Sequence, residues 1–146
     1  MGQSAMLIDT NITHPRITAR AVTFDELHEN STLAQVLSSF ARNRIVFKYA
    51  QALSEDYQGD LWQTWLLSNG GWFMAPKTQQ NYHVCVPGNY YDGTMSAETF
   101  GITISLFAQG EICWTTERDA DIDAYHALRD FALDHAEAAA ILAAID

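Results

Sequence analysis

The sequence predicts an α+β fold: a single compact domain in which a small antiparallel sheet, the hairpin 61–75 plus a third strand near 82–86, packs against about four to five helices. Three observations lead there. A chain of 146 residues suits one hydrophobic core, because a domain of that size buries about 68–70% of its unfolded surface. The block "LWQTWLLSNGGWFMAP", residues 61–76, is dense in aromatics and carries Asn-Gly, the dipeptide that accepts the positive φ angles of a tight hairpin turn. On both sides of that block, apolar residues recur at three- and four-residue steps, the period of a helix.

Residues 1–20 show no clear periodicity and contain "THPR", so they read as an irregular lead to a single domain over 21–146. Thr23 and Glu26 stand at capping-box spacing, in which each side chain satisfies a backbone N–H at the other's position, and a short helix is expected from there. Leu33, Val36, Leu37, Phe40, Ile45, Phe47, Tyr49 and Leu53 continue the helical period, with Arg42 to Arg44 as a break, giving two helices or one with a kink. Gly59 stops this run.

Leu61 to Leu67 and Trp72 to Ala75 are then the two arms of a hairpin, ended by Pro76, which has no N–H to donate to a ladder. Tyr82 to Val86 alternates again and supplies the third strand, closed by Pro87, Gly88 and the turn-rich "GNYYDGT". Ser96 is placed to cap a helix from Ala97 to Gln109, with Glu98 favouring the positive helix end and Gly110 ending it. Phe100, Ile104 and Phe107 form its core stripe, widened by Ile102 and Leu106. After "EICW", expected as a short strand, Asp121 or Asp123 starts a helix with Ile122, Tyr125, Leu128, Phe131 and Ala132 on one side. Asp134 and Glu137, again at capping spacing, open a last alanine-rich helix.

Charge and composition exclude several functions. The net charge is −10, and the acidity lies in residues 50–146, which hold fourteen acids against Lys77, Arg118 and Arg129. Such a surface argues against direct DNA binding, which needs lysines and arginines to displace counterions from phosphates. The longest uncharged run, Leu61 to Pro76, is interrupted by polar residues and glycines, so no segment approaches the roughly 20 apolar residues of a membrane span. No basic stretch followed by an apolar block opens the sequence, so a location in the bacterial cytoplasm with Cys85 and Cys113 reduced is expected. Both cysteines sit in apolar settings and read as small core residues.

No motif assembles an active site. Asp119, Asp121, Asp123 and Asp130 occupy positions 1, 3, 5 and 12 of a calcium loop, but position 6 is Ala124 where a sharp turn needs glycine, and Asp130 is shorter than the bidentate Glu. They read as a solvated acidic helix start. The five histidines have no zinc-ligand spacing, Ser68 lacks the glycines of a nucleophile elbow, and "SNGG" lacks the lysine of a phosphate loop. No catalytic, cofactor or metal residue is assigned.

Three stretches, "YQGDLWQTWLLSNGGWFMAP", "GNYYDGTMSAETFGITISLFA" and "YHALRDFALDHAEAAAILAAID", resemble in order and spacing the ArdB/KlcA family of antirestriction proteins found on plasmids and genomic islands. The resemblance covers about residues 40–146; Asp60, Leu61, Thr64 and Trp65 depart from the family pattern, and residues 1–40 align poorly. It implies a compact domain that relieves type I restriction of incoming plasmid or phage DNA. The family brings no catalytic residues to carry over.

Trp62, Asn69, Gly70, Gly71 and Pro76 recur in the family motif and are also what a hairpin needs physically, so the motif reads as architecture more than recognition. Trp62, Trp65, Trp72 and Phe73 offer more apolar area than a short hairpin can leave in water; most belong in the core, with at least one as an interface anchor. Full DNA mimicry fails on charge. A domain of this size is about 38 Å across, and duplex DNA of that length carries roughly 22 phosphates, against a net −10 here. The expected function is a non-enzymatic inhibitor of a type I restriction-modification enzyme, acting directly or through an accessory host factor. Its expected surface joins Trp62, Trp65 and Trp72 to Glu117, Asp119, Asp121 and Asp123. The alternatives are a local DNA mimic built on those four acids, or a hydrolase using a carboxylate with His126 or His83.

Overall fold

A computed structural model describes residues 16–23 and 40–146. Among the described residues the chain forms β1 (Ala19–Ala21), α1 (Phe40–Leu53), β2 (Trp62–Leu67), β3 (Trp72–Pro76), β4 (Asn81–Val86), β5 (Tyr91–Ser96), α2 (Ala97–Thr116), α3 (Asp119–Leu133) and α4 (Ala138–Ile145). The expected helix after Thr23, the start of the 33–53 run and most of the N-terminal lead lie outside the described residues. The described part of that run, α1, is one helix through Arg42–Arg44 with no break. Ala19–Ala21, inside or next to the segment expected to be irregular, is a strand.

The hairpin forms as its composition predicts. β2 and β3 pair antiparallel from Trp62↔Pro76 to Leu66↔Trp72. At the turn Gly70 has φ +91°, a conformation that L side chains rarely adopt, and its N–H donates to Leu67 O at 3.0 Å. Asn69 and Gly71 have a further role, since the turn lies against α3. Asn69 Nδ2 donates to Ala127 O at 2.9 Å while its Oδ1 accepts from Gly71 N at 3.2 Å, and a Cβ on Gly71 would come within 2.8 Å of Ala127 Cβ. The motif "SNGG" therefore makes the turn and docks it.

The expected three-stranded sheet exists, but its third strand is β1, which pairs with β2 in the order β1-β2-β3. β4 pairs with β5 instead, in a separate two-stranded ribbon. The reason lies in the free edge of β3. Ser105 of α2 donates to Met74 O at 3.2 Å and accepts from Met74 N at 3.0 Å, and Gln109 Nε2 donates to Trp72 O at 2.8 Å. Helix side chains satisfy the groups that another strand would have used. β4 finds its partner in "YDGTMS", whose Asp, Gly and Thr had read as a turn.

α2 is the central element. Ser96 caps it, accepting from Thr99 N at 3.2 Å. It then runs past Gly110 and through "EICW" to Thr116, so the expected stop and the expected strand are both replaced by helix. A mid-helix glycine costs only about 1 kcal/mol, and Ile112, buried at 5% exposure, ties the extra turns to the core. α2 packs against β3, α1, α3 and α4. It comes very close to β3 at Gly101, where a Cβ would sit 2.3 Å from Ala75 Cβ and 2.5 Å from Met74 O.

β3 is buried on both faces and separates two core clusters. Trp72 and Met74 join Phe100, Ile104, Tyr82 and Val84 on one side; Phe73 and Ala75 join Ile102, Leu106, Leu128 and Ile141 on the other. α3 begins at Asp119, ahead of both expected starts, Asp121 and Asp123, with Arg118 at the N-cap. Asp134 ends α3 and does not open α4. Glu137 precedes α4 but reaches back to the start of α2, accepting from Ser96 Oγ and Thr99 Oγ1, each at 2.8 Å. That carboxylate joins two helix N-termini.

Candidate partner-binding surface

The residues expected to meet a partner divide sharply. Trp72 is 5% exposed and lies in the core. Trp62 is half-buried in an aromatic cluster with Phe47, Tyr57 and Phe100, ring centroids 5.6, 5.7 and 6.2 Å away, and its Nε1 donates to Tyr57 Oη at 3.1 Å. Trp65 stacks on Phe73 at 6.1 Å with planes 9° apart and leaves one edge on a shallow groove beside Gln63, Pro76 and Lys77. None of the hairpin tryptophans stands free as an anchor. Trp72 is enclosed because β3 is buried on both faces, whereas Trp62 and Trp65 of β2 are half-buried, each packed against one of the two core clusters.

The exposed tryptophan is Trp114, at 86% exposure. It lies on the stretch of α2 beyond Gly110, where Ile112 turns inward and Trp114 outward. Sequence reasoning missed it because "EICW" read as a strand; continuing the helical period from Ile104 and Ala108 to Ile112 is the signal that exposes it. Gly110, Cys113, Trp114, Glu117, Ile122 and Tyr125 line an open cleft of about 470 Å³ between the end of α2 and the start of α3. The absence of a side chain at Gly110 leaves this wall low: a Cβ there would meet only Tyr125 Cε1, at 3.9 Å.

Glu117, which closes α2 in a left-handed conformation with φ 53°, stands at the cleft's rim. Asp119 and Asp123 are exposed one turn apart on α3, a spacing that places them on one helix face. Asp121, the fourth acid of the segment, is turned inward, its side chain 11% exposed. Its carboxylate accepts from Thr116 Oγ1 at 2.7 Å, Arg42 Nη2 at 2.8 Å and Arg118 Nε at 3.2 Å. Burial pushes the Asp121 carboxyl up, but the hydrogen bonds from Thr116 and Arg42 and the charges of Arg42 and Arg118 outweigh it and hold the group below its ordinary range. Asp121 ties α1 to the α2–α3 corner. The hairpin meets α3 at Ala127, about two turns beyond Asp119, so hairpin and acidic segment are joined through α3.

The structure also corrects the reading of the cysteines. Cys113 is half-buried, its Sγ 3.3 Å from Asp121 O, whereas Cys85 is exposed. Cys85 lies beside His83 and Asp92 on the outer face of the β4–β5 ribbon. This is not the arrangement of a catalytic triad, in which one ring nitrogen faces the carboxylate and the other the nucleophile. Here His83 Nε2 faces both, at 2.5 Å from Asp92 Oδ1 and 3.7 Å from Cys85 Sγ. Burial and the Asp92 charge both push the Cys85 thiol up, the opposite of activation. His126, exposed on α3, forms an edge contact with Tyr125 at 5.5 Å.

The family profile described as "Antirestriction protein" matches residues 55–146. The antirestriction protein KlcA of Escherichia coli is 37% identical over 146 residues, covering 96% of this chain and 100% of that protein. A second Escherichia coli antirestriction protein KlcA is 43% identical over 106 residues, covering 70% of this chain and 75% of that protein. A solved structure matches with a TM-score of 0.78 and 35% identity, over 91% of this chain and 97% of its own. It is described as showing that the KlcA and ArdB proteins have a novel fold and antirestriction activity against Type I DNA restriction systems in vivo but not in vitro. A family match across most of the described fold, and a relative aligned along its whole length, establish that this chain belongs to the Antirestriction protein family.

Proposed function

We propose that the chain relieves type I restriction of incoming plasmid or phage DNA by binding protein, without catalysis, through the cleft beside Trp114 and the acids Glu117, Asp119 and Asp123. The observation that carries this reading is the 86% exposure of Trp114 at the edge of an apolar cleft rimmed by carboxylates. A large exposed aromatic next to a preformed recess has the composition of a binding hot spot. Family membership supplies the biological class, and the relatives' activity in vivo but not in vitro favours a contact that needs a further component of the cell. The partner is accordingly the type I restriction-modification enzyme in its cellular assembly or an accessory host factor, met in the bacterial cytoplasm.

Two features support protein contact over imitation of a DNA duplex. The net charge of −10 is less than half of what a duplex of the same length presents. Asp121, the central acid of the segment, is neutralised by two arginines. Three outward carboxylates steer a basic partner, raising association rate and specificity. The reading is tested by plating unmodified phage on a type I restricting host that expresses the chain, and by scoring whether the survivors are modified. Plating rises and modification persists under this reading; unchanged plating removes it. Turnover of a restriction intermediate by substoichiometric protein, lost on changing His83 or His126, would replace it with the hydrolase alternative.

A further inference from the structure

The β4–β5 ribbon has two unlike faces. Tyr82, Val84, Val86 and Met95 point into the core. The intervening His83, Cys85 and Asp92 therefore stand on the outer face, as the period of 2 along a strand requires. His83 and Cys85 are two apart on β4, and Cys85 is the direct register partner of Asp92 on β5. Antiparallel pairing thus brings an imidazole, a thiol and a carboxylate together from a rigid two-stranded base. Their three donor atoms all lie within 4.8 Å of one another.

We propose that His83, Cys85 and Asp92 form a three-ligand site for a zinc-class divalent cation, with a fourth position open to water or to a donor on another molecule. A tetrahedral zinc ion with bonds of about 2.3 Å to sulfur and 2.0–2.2 Å to nitrogen and oxygen holds its donors about 3.3–3.6 Å apart. The His83 Nε2 to Cys85 Sγ distance, 3.7 Å, is already close to that spacing. His83 Nε2 and Asp92 Oδ1, now hydrogen-bonded at 2.5 Å, must separate by about 1 Å to admit the ion. Both side chains are free to do so by rotation, being 44% and 69% exposed.

The donor set selects the class of ion. A thiolate with an imidazole favours zinc over magnesium or calcium, which take oxygen ligands, and the single carboxylate suits zinc equally. The surroundings add negative field: Asp56 Oδ2 accepts from the His83 backbone N–H at 2.8 Å, and Glu55 is its neighbour in the chain. This hydrogen bond also fixes the backbone of one ligand, so the site is partly organised before any ion arrives. The site is separate from the Trp114 cleft, and its presence or absence leaves the antirestriction reading unchanged.

The test uses the untagged full-length protein, stripped of metal and kept reduced, titrated with Co²⁺ and then with Zn²⁺. The expected result is one saturable equivalent of cobalt, a thiolate-to-cobalt charge-transfer band with tetrahedral visible bands, and their displacement by zinc. Cys85→Ser abolishes the charge-transfer band; His83→Gln and Asp92→Asn each weaken binding about tenfold or more. Cys113→Ser binds as the parent does, and circular dichroism shows that these surface variants keep the fold. The absence of a saturable cobalt spectrum at millimolar metal overturns the proposal. So does a spectrum that survives Cys85→Ser or disappears in Cys113→Ser.

Discussion

Replacing Asp121 by Asn separates the structural acid of the 117–123 segment from the three that face solvent. The side chain accepts three hydrogen bonds, two of them from arginines, and Arg42 is itself only 15% exposed. Breaking a buried ion pair by removing one partner costs about 3–5 kcal/mol. The amide keeps one acceptor oxygen, and Arg118, at 64% exposure, can be rehydrated. The loss should therefore fall near 2–3 kcal/mol at pH 7, or about 4–12 °C in Tm for a chain of this length. Urea unfolding followed by tryptophan fluorescence measures it. The sign of the pH dependence is also fixed. The folded-state carboxyl titrates below its ordinary range, so the unfolded chain protonates first as pH falls. The stability that Asp121 contributes is then present above about pH 4 and is lost progressively as pH drops through the folded-state value. The gap between parent and variant should close on acidification. An Arg42→Gln partner variant should show coupling of about 1 kcal/mol or more in a double-mutant cycle. A loss under about 0.5 kcal/mol, or a gap of equal size at every pH, would refute the assignment of Asp121 to the α1–α2–α3 corner.

Gly101→Ala should destabilise by about 1–3 kcal/mol despite the gain of about 1 kcal/mol in helix propensity, because a Cβ there meets Ala75 and the Met74 carbonyl at 2.3–2.5 Å; chemical unfolding reads the net sign. Asn69→Ala removes both the bond to Ala127 O and the acceptor for Gly71 N, for an expected loss of about 1–3 kcal/mol in the same assay. Tyr82 is pushed up to about 12, first by burial and then by its 2.6 Å hydrogen bond to Asp60. Its folded-state value is raised, so its contribution is complete below about pH 10 and is lost as pH rises toward 12. Tyr82→Phe should flatten that alkaline loss, as seen in unfolding midpoints between the two pH values.

The parts of the fold most legible in the sequence were those governed by local chemistry. Asn69-Gly70 sets the hairpin turn, Ser96 caps α2, and Tyr82, Val84 and Val86 alternate toward the core. What escaped was set by partners distant in sequence. β4 pairs with β5 because Ser105 and Gln109 of α2 already occupy the edge of β3, and two polar residues inside an apolar helix do not announce that role. Asp121 shares its local pattern with Asp119 and Asp123, and only the approach of Arg42, 79 residues away in the chain, distinguishes it. Reading "GNYYDGT" as a turn hid Asp92 from His83 and Cys85, and ending α2 at Gly110 hid Trp114. Of the surface proposed above, the acidic segment stands out in the sequence and Trp114 does not.

The most direct measurement of the central claim is phage plating on a type I restricting host expressing Trp114→Ala, or Glu117→Gln with Asp119→Asn and Asp123→Asn, at matched protein levels and with unfolding midpoints checked. Loss of a hot-spot aromatic costs about 2 kcal/mol or more of binding, roughly thirtyfold in affinity. The account predicts that Trp114→Ala abolishes or sharply reduces relief of restriction while the fold is kept, and that the triple acid variant reduces it less. Undiminished relief by a stably folded Trp114→Ala protein would contradict it.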